Sequence, residues 1–102
     1  MRITFTGPAS REAEEAALWY WERSGDRVRA HLLAEIERAR TTLLRQPGIG
    51  TPGVRGTRKL LLDRFPYALI YRIDGDTVTI VAVANFKRRP GYWQRRIKSS
   101  GS

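Results

Sequence analysis

Residues 67–84 read YALIYRIDGDTVTIVAVA, and how the two halves of this stretch pair decides the fold. Asp74 and Gly75 separate two runs rich in β-branched and aromatic residues, and an Asp-Gly pair favours the tight turn whose twist suits antiparallel strands. The halves therefore form a hairpin. The second half is apolar at nearly every position, as expected of a central strand packed on one face and partly covered on the other. Upstream, VRGTRKLLLD (54–63) is a further β-rich run, so the hairpin extends to a three-stranded meander.

Working towards the N-terminus, PGIGTPGVRG (47–56) is a Gly/Pro-rich loop that carries the chain from a helical layer to the sheet edge. Before it, Val28, Leu32, Ile36, Ala39 and Leu43 recur at helical spacing, with Asp26 as N-cap and Gln46-Pro47-Gly48 as the stop. Ala13, Ala16, Ala17, Tyr20 and Trp21 predict an earlier helix ending near Ser24-Gly25-Asp26, with Glu12, Glu14 and Glu15 near its positive end. The two helices form an antiparallel hairpin. RITFT (2–6) alternates as a short strand, and Pro8 suits the first helical turn. After Pro90 the chain forms a short helix. The predicted fold class is α+β, two layers in the order β-α-α-β-β-β plus a short C-terminal helix. Residues 1–98 form a single domain and 99–102 a frayed tail.

The chain has 102 residues, enough for one domain with a real core. It has no cysteine, which excludes disulfides and thiolate metal sites. No apolar run is long enough to span a membrane, so a cytoplasmic protein is expected. Nineteen Lys and Arg against ten Asp and Glu give a net charge of +9, which points to a polyanion or an acidic partner.

Two stretches, RFPYALIY (64–71) and RRPGYWQRR (88–96), resemble the RelE/ParE superfamily of toxins from bacterial type II toxin-antitoxin modules. The resemblance spans almost the whole chain. It leans to the ParE-like, plasmid-stabilisation branch, through the Phe-Pro-Tyr turn at 65–67 and the Arg-x-Pro-x-Tyr-Trp ending at 88–93. The resemblance implies a RelE/ParE-like fold with a helical hairpin on a mainly antiparallel sheet. It also implies a growth-inhibiting toxin neutralised by a cognate antitoxin through an acidic segment. ParE-like members are associated with DNA gyrase, whereas RelE-like members cut mRNA on the ribosome. Many relatives place a histidine where this chain has Asn85, which weakens the endonuclease reading.

Under the ParE-like reading the chain binds rather than catalyses, and Arg88, Arg89, Tyr92, Trp93, Arg95 and Arg96 form the target-binding surface. Under the RelE-like alternative, Arg58, Lys59, Arg64 and Arg88 hold RNA phosphates while Tyr92 assists proton transfer. A third reading is a basic nucleic-acid-binding domain without toxin activity. Trp19, Tyr20 and Trp21 are consecutive, so they cannot all face inward on a helix. Trp19 and Trp21, beside the seam of Leu32 and Ile36, are the expected antitoxin-binding residues. His31, the lone histidine, is expected to be solvent-facing or structurally satisfied, not catalytic. Neither a metal nor another cofactor is expected.

Overall fold

The computed structural model describes residues 1–97; the expected frayed tail, 99–102, lies outside the described residues. Strand β1 (Arg2–Phe5) leads into helix α1 (Gly7–Arg45), and β2 (Thr51–Pro52), β3 (Arg58–Leu61), β4 (Tyr67–Asp74) and β5 (Thr77–Asn85) follow. The five strands lie in the order β1-β5-β4-β3-β2. The Asp-Gly hairpin forms as its residues dictate, with Asp74 opposite Thr77 and Gly75 at a φ of 58°. Strand β1 runs parallel to β5, Ile3 opposite Val78, and is the one departure from antiparallel pairing.

Thr6 caps α1, its hydroxyl accepting from the Ala9 N–H at 3.2 Å, and Pro8 occupies the first turn. The two expected helices are present as two arms of α1 that meet at Gly25, where φ is 81° and ψ is −172°, so the connection between them is a single residue. One residue turns the chain because glycine alone enters this region without a Cβ penalty. The arms on either side face each other, since residues 13–21 and 29–33 line one groove. Asp26 makes no capping hydrogen bond among the described residues. The loop after α1 also contributes more than a connection: its Thr51 and Pro52 pair with Lys59 and Arg58 as a fifth, edge strand.

Both sheet faces are covered, as the apolar β5 requires. Leu32, Leu43, Leu69, Tyr71, Val78, Ile80 and Val83 fill the space between sheet and helix. Ala68, Ile70, Val81 and Ala82 form a second cluster on the opposite face, under Trp93 and Ile97 from the C-terminal segment. The register slips between Ile70 and Tyr71, which pair with Ala82 and Ile80. The extra residue, Val81, re-phases the strand: Val81 and Ala82 both face the C-terminal segment, and Val83 returns to the helix side. The expected short C-terminal helix is a single 3-10 turn at Gln94–Arg96.

Buried polar groups tie the layers together. The Tyr71 hydroxyl donates to the Pro47 carbonyl at 2.7 Å and accepts from the Gly50 N–H at 2.9 Å. Glu35, 5% exposed, accepts the N–H groups of Asp63 at 2.8 Å and of Arg64 at 3.1 Å, holding the turn before β4 against α1.

Candidate functional site

β1 stops pairing at Phe5, opposite Ile80, so the edge of β5 beyond that point has no strand beside it. Side chains take the strand's place. Glu12, from the first arm of α1, accepts the Val83 N–H at 3.0 Å, and Arg96 donates to the Val81 carbonyl at 3.1 Å. The two side chains also bind each other through paired contacts of 2.9 and 3.0 Å, the bidentate geometry that makes Arg–carboxylate pairs strong. Tyr92 donates its hydroxyl to the second Glu12 oxygen at 2.6 Å.

Burial pushes the Glu12 carboxyl up, but hydrogen bonds from Arg96, Tyr92 and the Val83 N–H outweigh it and hold the group below its ordinary range. The Tyr92 phenol is driven upward by burial and then by its hydrogen bond to the Glu12 carboxylate, against weaker opposing effects of Arg96 and Arg88. It therefore stays protonated at neutral pH, with its proton committed to Glu12. Such a phenol anchors the chain and is unsuited to act as a base.

From this anchor the chain 85–93 runs as consecutive tight turns. The Asn85 side chain accepts the Lys87 N–H at 2.8 Å, the Phe86 N–H binds the Pro66 carbonyl at 2.9 Å, and Gly91 adopts a φ of 76°. The Arg88 guanidinium stacks on the Tyr92 ring at 3.9 Å. Asn85 thus organises the backbone that presents the cations.

Two clefts flank the Arg88–Tyr92 stack and share Asn85 with it. One, of about 220 Å³, has a floor of Ala68, Ile70 and Ala84 and a rim of Lys59, Arg89 and Phe86. The other, of about 290 Å³, lies against α1 between Trp19 and Lys87, with Glu12 and Glu15 on its far wall. Among the described residues, Lys59, Lys87, Arg88 and Arg89 have no carboxylate partner.

The residues singled out from sequence divide accordingly. Lys59, Arg88 and Tyr92 come together, but Arg58 and Arg64 do not join them. Arg58 donates to the carbonyls of Gly48 and Gly50 at 3.1 and 2.8 Å, and exposed Arg64 lies in the turn held by Glu35. Arg89 and Arg95 are exposed, whereas Trp93 is 9% exposed and packs on the sheet. Arg96, expected on the exposed surface, is turned inward onto Glu12. His31 is exposed on α1. No group of three or more His, Cys, Asp or Glu that could hold a metal occurs among the described residues.

On the opposite side, the arms of α1 leave an apolar groove lined by Ala13, Ala17, Leu18, Trp21 and Leu33, with Glu14 and Arg29 at its ends. Trp21 is 49% exposed there, but Leu32 and Ile36 are buried in the core and cannot meet a partner on this surface. The exposed apolar side chains of the groove are instead Leu18 and Leu33 beside Trp21. Trp19 turns to the basic cleft and carries Arg23 at 4.2 Å from its ring.

Composition and spacing do not single out Glu12 and Glu35 as anchoring residues, though the sequence carries a signal for both. Glu12 lies three and four residues from buried Ala9 and Ala16, and Glu35 three from Leu32. A carboxylate on the apolar stripe of a helix has to find buried donors.

Comparison with known proteins agrees with this architecture. A family model described as the ParE toxin of the type II toxin-antitoxin system, parDE, matches residues 3–90. A protein of Sinorhizobium fredii described as a toxin, Y4kP, is 31% identical over 90 residues, covering 87% of this chain and 93% of its own. A chain from the solved structure of the chromosomal ParDE system of P. aeruginosa superposes with a TM-score of 0.72 at 24% identity, covering 83% of this chain and 95% of the other.

Proposed function

The chain belongs to the ParE toxin family of type II toxin-antitoxin systems, and from that premise we propose that it inhibits growth in the cytoplasm by binding DNA gyrase and is neutralised by a cognate antitoxin. The observation that carries this reading is the shelf of exposed, unpaired cations at Arg88, Arg89 and Arg95 on a backbone fixed by the Glu12 anchor. A backbone already fixed needs no ordering on contact, so a binder keeps more of its interaction energy. Tyr92, the residue expected to assist proton transfer, is engaged by Glu12, which favours binding over RNA cleavage.

The antitoxin reading rests on the groove between the arms of α1. Leu18, Trp21 and Leu33 are 54, 49 and 42% exposed, a patch suited to the apolar face of an amphipathic partner helix. An acidic segment of the same partner would reach the cations at the far side of the molecule.

The test is to express the chain alone and assay purified gyrase supercoiling and mRNA integrity in parallel. Inhibited supercoiling with intact mRNA is expected. Codon-directed mRNA cleavage with untouched supercoiling would overturn the gyrase reading.

A further inference from the structure

The net charge is distributed by layer. Helix α1 carries seven cationic and seven acidic residues and is neutral; the rest of the chain, with twelve cationic and three acidic residues, supplies the whole +9. Around the C-terminal segment 85–93, on both sides of the Arg88–Tyr92 stack, these cations are interleaved with rings. Lys59 and Arg89 rim one cleft beside Phe86, the Arg88–Tyr92 stack forms the ridge, and Lys87 and Trp19 stand in the other cleft. Phe86 and Trp19 are 56 and 45% exposed.

We propose that this track is a binding site for a single-stranded nucleic acid, with successive bases in the two clefts and the phosphates between them on Lys59, Arg89, Arg88 and Lys87. Single strands are held by this combination: cations follow the backbone while exposed rings stack on bases of any sequence. The small floor of Ala68 and Ala84 lets a flat ring lie close to the sheet beside Phe86. A duplex hides the faces of its bases and cannot use the rings. The Glu12 carboxylate does not repel the strand, because Arg96 and Tyr92 occupy both of its oxygens. Glu15 is exposed on the wall beyond Trp19, so that cleft takes a base and not a phosphate. An acidic peptide would satisfy the cations but would leave Phe86 and Trp19 without a role.

The proposal goes beyond the gyrase reading and does not depend on it. Its test is fluorescence anisotropy with labelled oligo(dT) and oligo(U) of eight or so nucleotides, a duplex of equal length and a polyglutamate peptide, each over a salt series. Both single strands are compared because the 2′-hydroxyl decides between DNA and RNA. The expected result is tighter binding of a single strand than of duplex or peptide, with a log–log salt slope of about −3 for four neutralised phosphates. F86A and W19A should each weaken binding about fivefold or more at an unchanged slope. The double variant K59Q/R89Q should reduce the slope by about 1.4. All of these residues except the anchor are exposed, and unchanged melting temperatures establish that the variants are folded. Equal or tighter duplex binding, undiminished binding by F86A and W19A, or binding of polyglutamate alone would each overturn the proposal. Wild-type protein that inhibits supercoiling but binds no oligonucleotide would overturn this proposal and leave the gyrase reading intact.

Discussion

Glu12 of α1 joins four partners from two other parts of the chain: the Val83 N–H and, through Arg96, the Val81 carbonyl of β5, and Tyr92 and Arg96 of the C-terminal segment. Hydrogen bonds to a charged group contribute about 1.5–3 kcal/mol each when poorly solvated, and removing one partner leaves the others unmatched. Glu12→Gln should therefore lower stability by about 2–3 kcal/mol, measured by urea denaturation, with Arg96→Ala showing a loss of similar size. The depressed carboxyl fixes the pH dependence. A group whose folded-state pKa lies below its unfolded value contributes fully above the unfolded value of about 4.3 and loses that contribution as the pH falls through the folded one. Wild-type stability should thus decline on acidification below about pH 5, and Glu12→Gln should flatten that part of the profile. A parallel decline in both proteins would show that other carboxylates govern the acid limb. None of this network is visible to periodicity, since Glu12 and Arg96 are 84 residues apart; what the sequence does offer is a carboxylate misplaced on an apolar stripe.

At the scale of elements, α1 shows how one residue decides an architecture. The apolar positions of both arms were legible, because Ala16, Ala17, Leu32, Ile36, Ala39 and Leu43 recur at helical spacing and are all buried. The break was placed correctly near Ser24-Gly25-Asp26, but its form was not legible, because periodicity marks where a stripe ends and not how few residues the reversal needs. A Cβ at Gly25 meets nothing within 4 Å, so the constraint is its φ of 81° alone. Gly25→Ala should cost about 1–3 kcal/mol by denaturant unfolding, and Gly25→Asn no less, because a φ of 81° with a ψ of −172° lies outside the left-handed helical region that Asn tolerates. Gly50 is the contrasting case: an added Cβ would fall against the Tyr71 ring and the Lys59 carbonyl, so Gly50→Ala should destabilise by steric displacement of the edge strand. The groove between the arms divides the same way. Leu33→Glu, on the exposed side, should abolish antitoxin binding in a pull-down with little change in melting temperature, whereas Leu32→Ala, fully buried, should lower stability by about 2–5 kcal/mol.

For the molecule as a whole, the sheet and its C-terminal segment are basic and the helical layer is neutral, so the apolar groove of α1 and the cations of the tail offer a partner two different chemistries. The sheet hairpin and the central position of β5 followed from an Asp-Gly turn and an apolar run, local features that a sequence displays. The parallel docking of β1 and the second core under Trp93 and Ile97 depended on contacts between distant segments, which no local pattern encodes. The same distinction separates the arginines of the tail, which look alike in RRPGYWQRR. Arg88, Arg89 and Arg95 are exposed, and exposed charges contribute little to folding. Arg96 belongs to the anchor. Arg88→Ala, Arg89→Ala and Arg95→Ala combined should relieve growth inhibition while shifting stability by less than about 1 kcal/mol, and adding Arg96→Ala should bring the loss that Arg96→Ala causes alone. Thermal melts beside a growth assay read both quantities. A triple variant that melts like the wild type and remains fully toxic would remove the tail cations from the target-binding surface, and the groove of α1 would then be the place to look for the target as well as the antitoxin.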